Sequence, residues 1–216
     1  MIMKIVNVGC GSTPTKNALN FDNSFTIVLA NNSWLYWLAK KLGYTSRFTE
    51  QFVKNIKEYR IQRADATNLP LQRNTVDVIY SSHMIEHMGQ DELALFLRKS
   101  FEALKSGGTI RLLTPDFRMK VDDYLKSGDA DMFFISTLLG RDSSRGTLKQ
   151  RMKLFFFGDR SHLFLYDATS LSKKLKSVGF SNIKVLKAGE TTIPFETNIN
   201  YSERMDESLY IEAQKV

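Results

Sequence analysis

The chain of 216 residues contains a single cysteine, Cys10, so no disulfide framework can form within it and a reducing compartment suits it. It has only four prolines and no Pro- or Gly-rich tract, so no linker divides it. No apolar run approaches the ~18 residues of a membrane-spanning helix. Polar Asn7 and the glycines after it interrupt the amino-terminal segment that a signal peptide would need. The cytoplasm is therefore the expected compartment. Zinc-finger cysteine spacing and basic-aromatic alternation are also missing, which argues against a nucleic-acid module. Without repeat or linker, residues 1–216 read as one domain, long enough to bury a core of its own.

The composition, 43% hydrophobic and 25% charged, is that of a globular protein. The net charge of +7 is uneven, with its basic excess in residues 1–75 and 141–180. Such an excess is either a solvated surface or an attraction to phosphate or an anionic membrane face.

Strand and helix signals alternate, which predicts an α/β fold with a mostly parallel sheet. Lys4–Val8 is the first predicted strand, Ala18–Phe21 the second, Arg60–Arg63 the third, Val76–Ser81 the fourth and Thr109–Leu113 the fifth. Ile183–Leu186 and Leu209–Ala213 supply two more. Helices are expected over Trp34–Leu42 and Thr49–Tyr59. Another is expected over Gln90–Lys105, where Leu93, Phe96, Leu97, Phe101 and Leu104 follow helical spacing up to Gly107-Gly108. A further helix is capped by Asp167 and stopped by Gly179.

Chemistry concentrates where strands end. Gly9-Cys10-Gly11 follows the first strand and leaves backbone bare for a ligand. A nicotinamide fingerprint is excluded, because its third glycine would fall on Pro14, which lacks the N–H a pyrophosphate needs. The loop suits a ligand without pyrophosphate, such as an amino-acid-bearing nucleoside. Asp22, after the second strand, can accept from ribose hydroxyls, and Asp65, after the third, from an adenine amino group. Either can equally be a turn aspartate bonded to its own backbone. The fourth strand releases Ser82-His83-Met84-Ile85-Glu86-His87, and His162 lies in a third candidate segment. An imidazole with near-neutral pKa can take a proton from an acceptor hydroxyl. The same stretch contains H-x-x-E-H, a zinc-hydrolase pattern that would need a helix and a third ligand not identifiable in the sequence. Cys10 has no thiolate-stabilising neighbour and reads as a small residue between glycines.

Val6–Gly11, Asp22, Asp65–Pro70, Val76–Ser81 and the run through Gly107-Gly108 to Leu113 resemble class I S-adenosylmethionine-dependent methyltransferases. Ser82–His87, Thr114-Pro115-Asp116, Asp159–His162, Leu165–Asp167 and Glu207–Tyr210 resemble one branch of them, met in bacterial surface-polysaccharide gene clusters. The resemblance implies a Rossmann-like, seven-strand sheet with an antiparallel last strand and a helical acceptor-recognition insertion at 119–167. It implies S-adenosylmethionine as cofactor, held by Gly9, Cys10, Gly11, Asp22, Asp65, Ala66, Ser81 and His83. His87, His83 and His162 become the catalytic candidates, no metal is implied, and the acceptor is a sugar or other small molecule methylated at oxygen. A catalytically silent partner subunit is the competing expectation. Two departures stand out: neutral Asn7 where the family carries an acidic residue, and a gap from Gly11 to Asp22 too short for a full helix. Residues 31–59 are expected to cover that side instead. The basic stretch 141–160, with Leu154–Phe157 at its centre, packs its aromatics inward or touches an acceptor or an anionic lipid surface.

Overall fold

The computed structural model describes residues 3–139 and 161–216. At its centre β1 (Ile5–Val8) is buried along its whole length, flanked in parallel by β2 (Leu19–Asp22) and β4 (Val76–Ser82). β3 (Gln62–Arg63) pairs with β2 at one edge, and β5 (Leu104–Pro115) runs parallel to β4. β7 (Ser208–Gln214) lies antiparallel between β5 and β6 (Ser181–Leu186). The order β3-β2-β1-β4-β5-β7-β6 gives the mostly parallel, seven-strand sheet with an antiparallel last strand that the resemblance implies.

Continuous apolar strands need cover on both faces. On one face α4 (Gln90–Ala103) and α7 (Ala168–Val178) set Leu93, Phe96, Leu97, Leu171 and Leu175 against Val6, Val8, Ile79 and Leu112. α7 begins on the Asp167 carboxylate, which accepts from Ser170 N, and ends at Gly179 with φ 110°. α4 stops two residues short of the predicted Lys105, because Leu104 is already paired with Val76 as the first residue of β5.

The opposite face is covered in two ways. Beside β1 and β2 no helix intervenes between the strands. Instead α1 (Phe25–Asn31) and α3 (Arg47–Glu58) pack Ile27, Ala30, Phe52, Val53 and Ile56 on Cys10. Residues 31–59 thus do cover this side, joined by α1, which carries no clear periodic signal. α2 (Ser33–Lys41) buries none of its residues and leaves Trp34 and Trp37 exposed. Further along this face, residues 187–207 lay Ile193 and Ile199 over Ile5, Val78, Tyr80 and Leu113. Arg111 of β5, itself fully buried, anchors that segment. Its guanidinium donates to Glu212 Oε1 (2.5 Å) and to the carbonyls of Glu190 (2.9 Å) and Tyr201 (3.1 Å).

After β5, α5 (Phe117–Ser127) and α6 (Ala130–Thr137) follow at once, capped by the carboxylates of Asp116 and Asp129. The expected insertion is helical from Phe117, two residues earlier than Met119. Residues 140–160, including Arg151, Lys153, Leu154–Phe157, Asp159 and Arg160, lie outside the described residues. Among the described residues, no helix is long and apolar enough to cross a membrane.

Candidate active site

The glycine loop is shaped from beneath. Gly9 and Gly11 take φ of 69° and 47°, values open to glycine at little cost. The N–H groups of Gly9 and Cys10 both donate to Phe21 C=O (2.8 and 3.1 Å). Asn7, buried, donates its amide to Thr13 C=O (3.1 Å) and Thr15 Oγ1 (3.0 Å). Asn20 accepts from Thr15 N (2.8 Å) and donates to the carbonyls of Thr15 and Ala18. The neutral residue in place of the family's acid is thus a brace for the loop.

Asp22 reaches across this loop. Its Oδ2 accepts from Gly11 N (2.9 Å) and its Oδ1 from Ser24 N (2.8 Å). Burial pushes its carboxyl pKa up, and those two N–H groups oppose the rise. Each oxygen retains capacity to accept from a further donor. A Cβ at Gly11 would meet nothing within 4 Å, whereas one at Gly9 would stand 2.6 Å from the Met84 side chain. Met84 Sδ in turn accepts from Ser81 Oγ (3.7 Å). Burial drives the Cys10 thiol far above its ordinary value, with nearby Asp22 adding to the effect. That agrees with a packing role. Bare backbone and a carboxylate with acceptor capacity fit the amino-acid and ribose parts of S-adenosylmethionine.

Asp65 stands apart from this cradle. It is exposed and caps a 3-10 turn, Ala66–Asn68, with Oδ1 accepting from Thr67 N (2.8 Å) and Thr67 Oγ1 (2.7 Å). One of its oxygens is therefore committed to its own turn. Ala66 packs partly buried against the main core.

The second constellation forms where β4 and β5 end. His83 leaves β4 with φ 49°, and its Nε2 lies 2.7 Å from Ser208 Oγ. Its Nδ1 faces Arg204 Nη1 at 3.2 Å and Glu86 Oε1 at 3.4 Å. A guanidinium can only donate, so Nδ1 is the acceptor and the ring proton sits on Nε2. Ile85–His87 is a 3-10 turn. The helical His83/His87 pair of the zinc-hydrolase pattern is therefore not formed, and that pairing is corrected by the fold.

Glu86 is fully buried, with Oε2 accepting from Thr114 Oγ1 (3.3 Å) and Oε1 without a hydrogen bond. Its backbone carbonyl accepts from Leu163 N (2.8 Å) and Phe164 N (3.2 Å), which ties the segment after residue 160 to this turn. That tie brings His162 Nε2 to 4.0 Å from Glu86 Oε1 and places the His162 ring 5.0 Å, edge-on, from that of His87. His87 Nδ1 lies 2.9 Å from Ser161 C=O, so Nδ1 carries the proton and Nε2 keeps a lone pair. Burial holds the His162 pKa below its ordinary value, against the pull of Glu86.

All three histidines therefore meet, joined by Glu86, Thr114, Arg204 and Ser208, which carried no role in the sequence as methyltransferase residues. Glu86 had a signal, an acid set between Met84-Ile85 and His87 straight after a buried strand. The partners from residues 161–208 had none, because only the fold brings them near. Tyr166 is buried and its hydroxyl accepts from Gln90 Nε2 (3.2 Å), a packing role. Asp116 caps α5, and Asp122 pairs on the surface with Arg118 (3.1 Å).

The strand order, the antiparallel β7 and two constellations at the carboxyl ends of the parallel strands define a Rossmann-like methyltransferase fold. Residues 6–112 match the family model of the methyltransferase domain, from β1 into β5. A SAM-dependent methyltransferase from Thermotoga maritima is similar in structure, with a TM-score of 0.53 and 15% identity over 100% of this chain and 83% of its own. A chain of the Haloferax volcanii complex between a methyltransferase activator and a methyltransferase gives 0.51 at 12% identity, over 99% and 83%. A SAM-dependent methyltransferase from Methanosarcina mazei gives 0.50 at 16%, over 99% and 92%. At such identities the likeness is one of fold. No curated protein matches the sequence.

Proposed function

We propose that the chain transfers a methyl group from S-adenosylmethionine to an oxygen of a carbohydrate or other small acceptor. One observation carries this reading. Met84 packs directly on Gly9, so the turn bearing the histidine cluster adjoins the loop and carboxylate suited to the cofactor. The cofactor supplies an electrophilic methyl on a sulfonium. Gly9, Cys10 and Gly11 leave room for its amino-acid part, Asp22 holds the ribose hydroxyls, Asp65 and Ala66 border the adenine, and Ser81 and His83 line the floor. His87 Nε2 is the atom that takes the acceptor proton, with its ring fixed through Nδ1 by Ser161 C=O. His162 and Glu86 stand beside it, and His83 positions the wall through Ser208 and Arg204. Methyl transfer needs no covalent enzyme intermediate, so orientation of the acceptor supplies much of the rate.

The sugar acceptor is supported by the basic stretch 141–160, suited to the phosphate of a nucleotide- or lipid-linked sugar. In this reading residues 119–167 recognise the acceptor within a single domain. Calorimetry with S-adenosylhomocysteine, followed by labelled-methyl transfer to a panel of sugars and nucleotide-linked sugars, tests both parts. Binding with transfer to an oxygen acceptor is expected. No binding at millimolar ligand would overturn the cofactor reading, and binding without transfer to any acceptor would favour the silent partner subunit.

A further inference from the structure

A carboxylate buried without a hydrogen-bond donor is costly unless an opposite charge meets it. Glu86 presents this problem at one atom: the side chain is 0% exposed, Oε2 is engaged by Thr114, and Oε1 has no hydrogen bond. His83 does not supply the missing proton, because its Nδ1 accepts from Arg204. The other group facing Oε1 is the His162 imidazole, with Nε2 4.0 Å away. Glu86, His87 and His162 each offer one ligand atom, and these atoms all lie within 4.8 Å of one another.

We infer that Glu86, His87 and His162 form a binding site for a divalent first-row transition ion, with zinc as the probe of choice. Two imidazole nitrogens and one carboxylate select such an ion over magnesium or calcium, which take oxygen ligands. Metal–ligand bonds of about 2.0–2.2 Å place neighbouring ligands some 3 Å apart, so binding draws the three side chains inward by roughly 1 Å. The outer contacts are those of built metal sites. His87 Nδ1–H donates to Ser161 C=O and leaves Nε2 for the ion, and Thr114 Oγ1 steadies the second oxygen of Glu86. Three protein ligands leave a coordination position open. The site differs from the zinc-hydrolase pattern in its ligands, since His83 is held by Ser208 and His162 replaces it.

If the methyltransferase reading holds, the open position faces the acceptor. The ion would then lower the pKa of the bound hydroxyl, whose proton passes to solvent water as the oxygen takes the methyl, with His87 serving as a ligand instead of as the base. Only this last step rests on that reading; the site itself does not.

The test uses the full chain stripped with a chelator, titrated with Zn²⁺ by calorimetry and with Co²⁺ by visible absorption. One equivalent of Zn²⁺ and a Co²⁺ spectrum with nitrogen-ligand bands are expected. Glu86→Gln and His162→Ala should each weaken Zn²⁺ binding by at least ~100-fold while circular dichroism shows them folded. Should one variant fail to fold, the other and the wild-type Co²⁺ spectrum still decide. No Zn²⁺ binding at millimolar concentration overturns the inference, as does stoichiometric binding that survives either substitution. S-adenosylhomocysteine titrated into the same metal-free protein separates the two readings. Cofactor binding without zinc binding defeats only the ion, and zinc binding without cofactor binding defeats only the methyltransferase.

Discussion

The two ends of the site differ in how their polar groups are satisfied. At the β1–β2 end the carboxylate of Asp22 and the amides of Asn7 and Asn20 all have backbone or hydroxyl partners. At the β4–β5 end a fully buried Glu86 leaves Oε1 without a hydrogen bond, among three histidines. The first end is finished without a ligand, and its geometry is fixed before anything binds. The second keeps one carboxylate oxygen unbonded, with imidazoles near it.

Four experiments break or sharpen this contrast. The largest effect is expected for His87→Ala, which should lower turnover by roughly 10²–10⁴ and leave S-adenosylhomocysteine affinity within a few-fold of wild type. Parallel losses in both would mean that the two ends are not separate. Asn20→Ala should act the other way, as a stability variant. It removes a buried amide that bonds Thr15 and Ala18, at about 1–3 kcal/mol in denaturant titrations. An unchanged midpoint would show that the loop does not depend on its brace.

Cys10 gives an intermediate effect with a defined pH sign. Its thiol pKa is raised from 9.0 in the folded chain, so above pH 9 the unfolded thiol loses its proton while the buried one keeps it. Stability should therefore fall as pH rises past 9, by up to about 1.4 kcal/mol per pH unit. Cys10→Ala should remove that part of the slope, and an identical slope in both proteins would contradict the burial. The smallest effect is expected at Asp65, set against Asp22. Asp22→Ala should weaken S-adenosylhomocysteine binding by about 1–3 kcal/mol, and exposed Asp65→Ala by less than ~1 kcal/mol. A reversal of that order would move the principal nucleoside contact to the 3-10 turn.

How much of this was legible in sequence followed the range of the interactions. β1, β4 and α4 carry strong local patterns, and the mostly parallel sheet followed from the alternation, its antiparallel last strand from the resemblance. The third strand, expected over Arg60–Arg63, is only Gln62–Arg63, the seven-residue α1 is too short for periodicity, and α4 ends at Ala103 because a strand partner, Val76, takes Leu104. His83, His87 and His162 were readable as candidates because histidine is scarce here and stands next to strand ends. Their grouping was not, since Glu86 meets His162 only through backbone bonds from Leu163 and Phe164. Asn7 stood out in sequence only as a neutral residue at an acidic position, and its bonds to Thr13 and Thr15 became visible only in the fold.

Arg111 carries a consequence for the time at which the protein becomes competent. Its buried guanidinium clasps Glu190, Tyr201 and Glu212, and through that segment Arg204 and Ser208 come to rest on His83. During synthesis a chain that has emerged as far as Pro115 already holds the glycine loop, Asp22 and every residue of the first four strands. Glu86 and Thr114 are by then present beside His83 and His87, whereas Ser161, His162, Arg204 and Ser208 have yet to be made. A nascent chain therefore holds the glycine loop and Asp22 before it holds the partners that fix His83 and His87. Because Ser208 opens β7, the surroundings of His83 are complete only once the carboxyl-terminal strand is in place.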